Sequence, residues 1–139
     1  MEALRNRIVE VIGESNKYRS NEVDQIVEAL LKVQAEAPAP VKNKKGNRGP
    51  YADVFAMLDA VKPIASKHGI LIYQHHRRDK GDIVVHSTLI HKSGQWLDSR
   101  LEANPIESDL TYFQDRSTAF TYTKRHLIQT QFAMGGDEE

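Results

Sequence analysis

The chain has 139 residues, of which 40% are hydrophobic and 27% charged, and its formal net charge is zero. These values are typical of one soluble globular domain, and the longest useful apolar run, residues 70–73, is far below the ~20 residues that cross a bilayer. The absence of cysteine excludes disulfides, thiolate metal sites and cysteine nucleophiles. The N-terminus lacks the pattern of a secretion signal, so we expect a cytoplasmic protein with no membrane partner.

The first part of the chain predicts two amphipathic helices, because apolar residues recur there at helical spacing. They are Leu4, Ile8 and Val11 in the first helix, and Val23, Ile26, Val27 and Leu30 in the second. Ser20 or Asn21 is expected to cap the second helix, which should end near Glu36 before a proline-rich stretch.

A basic segment follows. Residues 38–100 carry eleven basic and five acidic side chains, whereas both flanking segments are acidic. The segment begins with a predicted loop or hairpin tip that holds four cations: Lys42, Lys44, Lys45 and Arg48. Such a pattern suits a local polyanion-binding surface, although a solvated face has the same composition.

The second half of the chain predicts a helix, three strands and a last helix. The helix covers residues 52–68, with a kink or new turn at Pro63 and Gly69 as its C-terminal cap. Three strands over 70–74, 82–91 and 95–101 are joined by turn residues and form an antiparallel meander. The last helix should run from Tyr112 to Met134 and be stopped by glycines 135 and 136. The predicted fold class is therefore α+β, with N-terminal helices and a three-stranded meander packed against a long C-terminal helix.

No motif predicts an enzyme, a metal site or a cofactor. The six histidines include only one close pair, His75 and His76, and neighbours on a strand point to opposite faces. Hydrolase, zincin and phosphate-loop motifs are missing. Each histidine is therefore interpreted as a surface residue or a hydrogen-bonded core residue.

Nucleic-acid binding is the better-supported chemistry. Beside the hairpin cations stand two further basic clusters and nearby tyrosines: Arg77, Arg78 and Lys80, then Lys124 and Arg125, with Tyr51, Tyr73, Tyr112 and Tyr122. Cations that neutralise phosphates and rings that stack on bases are what single-strand binding needs. The alternative is a set of solvated turns and core tyrosines. On the last helix, Phe113, Phe120 and Leu127 share one face; Lys124 falls near it, and Arg125 lies about 100° further round.

Several motifs resemble the ERF (essential recombination function) family of phage single-strand annealing proteins. Residues 117–125 read STAFTYTKR and residues 135–137 read GGD, as in the family signature. Upstream, YADV at 51–54, VKPI at 61–64, KHGI at 67–70 and HKSG at 91–94 match in register. Two positions depart from the family pattern: Arg116 replaces a glycine, and His126 replaces an aromatic residue. The resemblance covers residues 25–139 and leaves 1–24 as an N-terminal helical extension.

The resemblance implies ATP-independent binding of single-stranded DNA and annealing of complementary strands in phage recombination. It also implies a fold like that of eukaryotic annealing proteins, with a basic groove between the meander and the long helix, and assembly into rings or helical filaments. A host or phage single-strand binding protein is a further candidate partner. The DNA-binding residues expected from the clusters and the resemblance are Lys124, Arg125, Lys42, Lys44, Lys45, Arg48, Arg77, Arg78, Arg116, Tyr51 and Tyr122.

Two other functions are compatible with the sequence. One is a non-enzymatic phage accessory module whose amphipathic helices dock on a partner protein, and the other is an RNA-binding domain.

Overall fold

The computed structural model describes residues 2–12, 17–103 and 112–137, with side chains in the last range described from 119 onward. Within them, four helices and five strands follow one another: α1 (Glu2–Ile12), α2 (Asp24–Glu36), β1 (Lys44–Gly46), β2 (Gly49–Tyr51), α3 (Val54–Lys67), β3 (Ile70–Asp79), β4 (Asp82–His91), β5 (Trp96–Glu102) and α4 (Tyr112–Gln131). Strands β3, β4 and β5 form an antiparallel sheet in chain order, and β1 and β2 form a separate hairpin. The α+β class and the three-stranded meander are confirmed.

Helices α2, α3 and α4 pack on one face of the sheet. Their apolar stripes meet the inward side chains of the strands in one core: Val23, Ile26, Val27, Val33, Met57, Val61, Ala65, Ile70, Leu89, Leu97, Ile128 and Phe132. The strands contribute to this core the side chains of one face only. On β4, Val85, Ser87 and Leu89 are buried, whereas their neighbours in sequence point to the other face. We call that other side of the sheet the open face.

The last helix differs from the prediction at its C-terminal end, which lies at Gln131 and not at Met134. The expected long C-terminal helix is not established, since side chains of α4 are described only from Ala119 to Gln131. The helix also ends before the glycines that were expected to stop it. Ala133 takes a positive φ of 52°, and Met134 N–H donates to Gln129 O at 2.9 Å. This is a Schellman-type end with alanine in the left-handed position that glycine usually occupies.

The start of α2 is also held in an unexpected way. Its N-cap residue is Val23, which makes no side-chain cap, and Ser20 instead accepts a hydrogen bond from Trp96 N–H at 3.0 Å. The buried Gln95 replaces the local cap: its Oε1 accepts from Gln25 N–H at 2.8 Å and from Ile26 N–H at 2.9 Å. The first turn of α2 is thereby fixed to the turn before β5.

Two smaller expectations concern α3. Pro63 lies inside the helix and does not end it. Gly69 follows the helix with a φ of 76° and supports the predicted C-terminal end of α3.

The chain before α2 also pairs with the sheet. A bridge between Arg19 and Leu97 adds a short pairing to the edge of β5.

Gln95→Ala should destabilise the protein by about 1–3 kcal/mol, because two amide donors at the start of α2 lose their buried acceptor. Urea denaturation checks this as a lower midpoint at unchanged slope. Gln25→Ala is the matched control, since that exposed glutamine on the same helix contributes only its main-chain N–H. Equal midpoints for the two variants would contradict the capping role.

Candidate nucleic-acid interface

The basic hairpin β1–β2 is fixed at its base to the start of α3. Asn43 and Asp53 exchange two hydrogen bonds of 3.1 Å, from the Asn43 amide to Asp53 Oδ1 and from Asp53 N–H to Asn43 Oδ1. Asp53 also caps α3 by accepting from Ala56 N–H at 2.9 Å. Desolvation raises the pKa of Asp53, but the Ala56 and Asn43 hydrogen bonds outweigh it and keep that pKa below its usual value. The hairpin therefore leaves the body of the protein in a defined direction.

The hairpin presents exposed cations. Lys44 and Lys45 lie on β1 and Arg48 in the turn, and all three side chains are exposed. Lys42 forms an ion pair with Asp137 of the C-terminal tail, and this hydrogen bond and charge lower the pKa of Asp137. Part of the charge expected from Lys42 is thus matched inside the protein.

Arg125, one of the two cations of the last predicted cluster, is buried. Only 4% of the residue is exposed. Its Nε donates to Ala52 O at 2.7 Å, and its Nη2 donates to Gly136 O at 3.2 Å and Asp137 O at 2.7 Å. DNA binding by Arg125 stays a prediction, but its guanidinium is already engaged with three main-chain carbonyls inside the protein.

The neighbouring Lys124 has a different environment. It is partly exposed, and its main-chain carbonyl accepts from the Gln74 amide at 3.1 Å. Phe120 and Leu127 turn toward the sheet, where they join a small apolar cluster with Val85. The sequence placed Lys124 near the apolar face of α4 and Arg125 further round, but the structure buries Arg125 and leaves Lys124 nearer to solvent.

The two tyrosines predicted to bind DNA lie in different environments. Tyr51 is partly buried and lies against the Arg125 guanidinium, whose carbon is 5.5 Å from the ring centre. Tyr122 is 50% exposed on α4. Of the two rings, Tyr122 is the one accessible for stacking on a base.

Arg77 and Arg78 are exposed near the end of β3. That end of the strand approaches α4, because His76 and Phe120 have ring centres 5.2 Å apart. The side chain of Arg116, the remaining predicted cation, lies outside the described residues.

Contacts join these regions in sequence. The hairpin meets α4 where Arg125 contacts Tyr51 and Ala52, and α4 meets β3 where Gln74 binds the Lys124 carbonyl. We call the exposed cations of these three elements the basic surface: Lys44, Lys45, Arg48, Arg77, Arg78 and Lys124. Contacts thus connect the elements that carry the predicted clusters, which stand far apart along the chain.

Sequence reasoning missed a group of potential metal ligands. Across the described part of the chain, one set of side chains could hold an ion: His75, His86 and Asp98, whose donor atoms lie within 4.8 Å of one another. The sequence drew attention to His75 beside His76. The strand register instead pairs His75 with His86, a signal available only once that register is known. Nor does any helix in the described ranges have the length and apolarity needed to cross a membrane.

Comparison with known families matches residues 26–139 to the ERF superfamily. The chain belongs to the ERF superfamily. Neither the curated proteins nor the solved structures include a significant match. The resemblance inferred from the sequence is confirmed, and it associates the chain with phage recombination.

Contacts of Arg125 give a physical reason why three of the ERF motifs occur together. The motifs at 51–54, 117–125 and 135–137 are separate in sequence, yet Ala52, Arg125, Gly136 and Asp137 meet through the hydrogen bonds of one guanidinium. A side chain at Gly136 would begin 2.5 Å from the Met57 methyl carbon, so this close approach favours glycine. Arg125 is therefore a tie between the hairpin, α4 and the tail.

Arg125→Lys should lower the free energy of unfolding by about 3 kcal/mol, since lysine keeps the charge but cannot reach three carbonyls in fixed directions. Chemical denaturation measures the loss, with Lys124→Ala as the control and an expected change within about 1 kcal/mol. If Arg125→Lys kept full stability while DNA binding fell, Arg125 would be a DNA contact and the structural role would be wrong.

Proposed function

We propose that this ERF-superfamily protein binds single-stranded DNA and anneals complementary strands without ATP. The observation that carries the proposal is family membership over residues 26–139. The basic surface supports it, because exposed cations from the hairpin, β3 and α4 lie along connected elements where a phosphate backbone can follow them.

The chemistry needs no catalytic residue. Cations such as Lys44, Lys45 and Lys124 neutralise phosphates and reduce the repulsion between two strands. An exposed ring such as Tyr122 stacks on a base without regard to sequence. Base pairing between the strands supplies both specificity and driving force, so a protein that holds the backbone and leaves base edges outward is sufficient.

Assembly of several subunits, as a ring or helical filament, is part of the proposal. A single chain offers few cations, and a row of chains extends the basic surface along DNA. Large apolar side chains on three helices are exposed: Leu4 at 39%, Val11 at 76%, Leu31 at 54% and Phe55 at 69%. Contacts between subunits are a natural use for such side chains, because their burial removes apolar surface from water.

An annealing assay with complementary oligonucleotides tests the function directly. The protein should accelerate annealing in the absence of ATP, and light scattering on the same sample should give a mass several times that of one chain. Binding without faster annealing, or preference for RNA over DNA, would favour an RNA-binding domain. Failure to bind either nucleic acid would favour a partner-docking module.

The double variant Lys44→Ala/Lys45→Ala should bind single-stranded DNA more weakly at low salt and flatten the salt dependence. Each phosphate that the protein no longer neutralises reduces the slope of log affinity against log salt by about 0.7, so the pair should lower it by about 1.4. Fluorescence anisotropy across a salt series measures both quantities. Folding should be intact, because both lysines are exposed on the hairpin.

Lys32→Ala/Lys92→Ala is the charge-matched control. These exposed lysines line one shallow pocket beside the C-terminal end of β4. Arg77 and Arg78 on β3 pair with the beginning of β4, so the control charges lie at the other end of the sheet. An equal loss in the control would mean that net charge, and not the basic surface, governs binding.

A further inference from the structure

The open face of the sheet carries a cluster of two histidines and one aspartate that the DNA-binding proposal does not use. His75 on β3 lies opposite His86 on β4. Asp98 on β5 faces the same side, diagonal to His86, because Thr88 pairs directly with Asp98. Each of the three strands therefore contributes one potential metal ligand, and the donor atoms lie within 4.8 Å of one another.

The separations are close to those of a metal site. His86 Nδ1 and Asp98 Oδ2 are 3.1 Å apart, whereas two ligands bound to one tetrahedral zinc ion at about 2.1 Å lie roughly 3.4 Å apart. His75 stacks on His86 with ring centres 4.8 Å apart, and the three donor atoms lie within 4.8 Å of one another, so binding of an ion requires the ring of His75 to move toward the other two ligands. An ion would take the place of the proton that joins His86 and Asp98.

Two neighbouring side chains hold the carboxylate. Thr88 Oγ1 donates to Asp98 Oδ1 at 2.7 Å, and Arg100 donates to Oδ2 from Nε at 3.0 Å and from Nη2 at 2.6 Å. Hydrogen-bonded partners of this kind orient metal-binding carboxylates. The positive charge of Arg100 opposes a cation, because its hydrogen bonds go to the same oxygen that His86 approaches. An ion at Oδ2 therefore competes with this guanidinium, which also lies 4.8 Å from the centre of the Tyr18 ring.

We propose that His75, His86 and Asp98 bind one divalent ion of the zinc class, which joins the three strands of the sheet. Two imidazoles and a single carboxylate select such an ion over Mg²⁺ or Ca²⁺, which prefer sets of oxygen ligands. Three protein ligands leave a fourth position for water or another small donor. The site does not depend on the proposed DNA binding.

Thermal unfolding with ZnCl₂ tests the proposal, with MgCl₂ as the comparison. Because an ion that binds only the folded chain stabilises it by mass action, excess zinc should raise the Tm by about 5 °C or more, reversibly with a chelator, and magnesium should not. The rise should disappear in His75→Gln and in His86→Gln. His76→Gln is the matched control, since His76 is adjacent on β3 but faces Phe120 on the other side of the sheet.

Competition with a colorimetric zinc chelator gives a readout independent of stability. The unaltered chain and His76→Gln should each bind about one zinc ion, and each ligand variant should bind at least about tenfold more weakly. Circular dichroism shows that the variants are folded. Zinc binding that survives in both His75→Gln and His86→Gln, or no binding by the unaltered chain, would overturn the proposal.

Discussion

The buried guanidinium of Arg125 is the contact on which the arrangement of this protein depends. It joins main-chain carbonyls of Ala52 beside the hairpin and of Gly136 and Asp137 in the tail to the helix that carries it. A planar group with five donors can satisfy several carbonyls at fixed angles, which an ammonium group cannot do. Its burial is tolerated because those carbonyls replace the water that the charge gives up.

The Arg125 contacts also help to hold the elements of the basic surface in fixed positions. The hairpin cations would be mobile on an isolated two-stranded ribbon, since such ribbons are marginally stable alone. Here Asn43 and Asp53 fix the ribbon to α3, and Tyr51 rests on Arg125. The base of the hairpin is consequently held against α4, and the main chain at Lys124 is held beside β3 through the Gln74 hydrogen bond. Phosphate binding along this line would lose less conformational entropy than binding by a free loop.

The open face of the sheet is not covered by the three helices that pack on its inward face. Helices cover the inward face, where Val85, Ser87 and Leu89 are buried, and leave the outward side chains His86, Thr88 and Ile90 of β4 partly exposed. On that face the cross-strand register stacks Tyr73 on His75 and His75 on His86. The two faces of one small sheet thus separate the packing of the core from the side chains available to ligands.

Local pattern alone determined the elements of this protein. The helical spacing of Val23, Ile26 and Leu30 predicted α2, alternation predicted the meander, and short motifs placed the chain in its family. Tertiary structure decided what each polar group does. It buried Arg125 and left Lys124 partly exposed, and it capped α2 with Gln95 instead of Ser20 or Asn21. It also ended α4 at Gln131 and brought His86 and Asp98 to His75. The physical reason is that the spacing of apolar residues shows which side of each segment packs into the core. The hydrogen-bond partner of a charged or amide side chain depends instead on strand register and on contacts between residues distant in sequence.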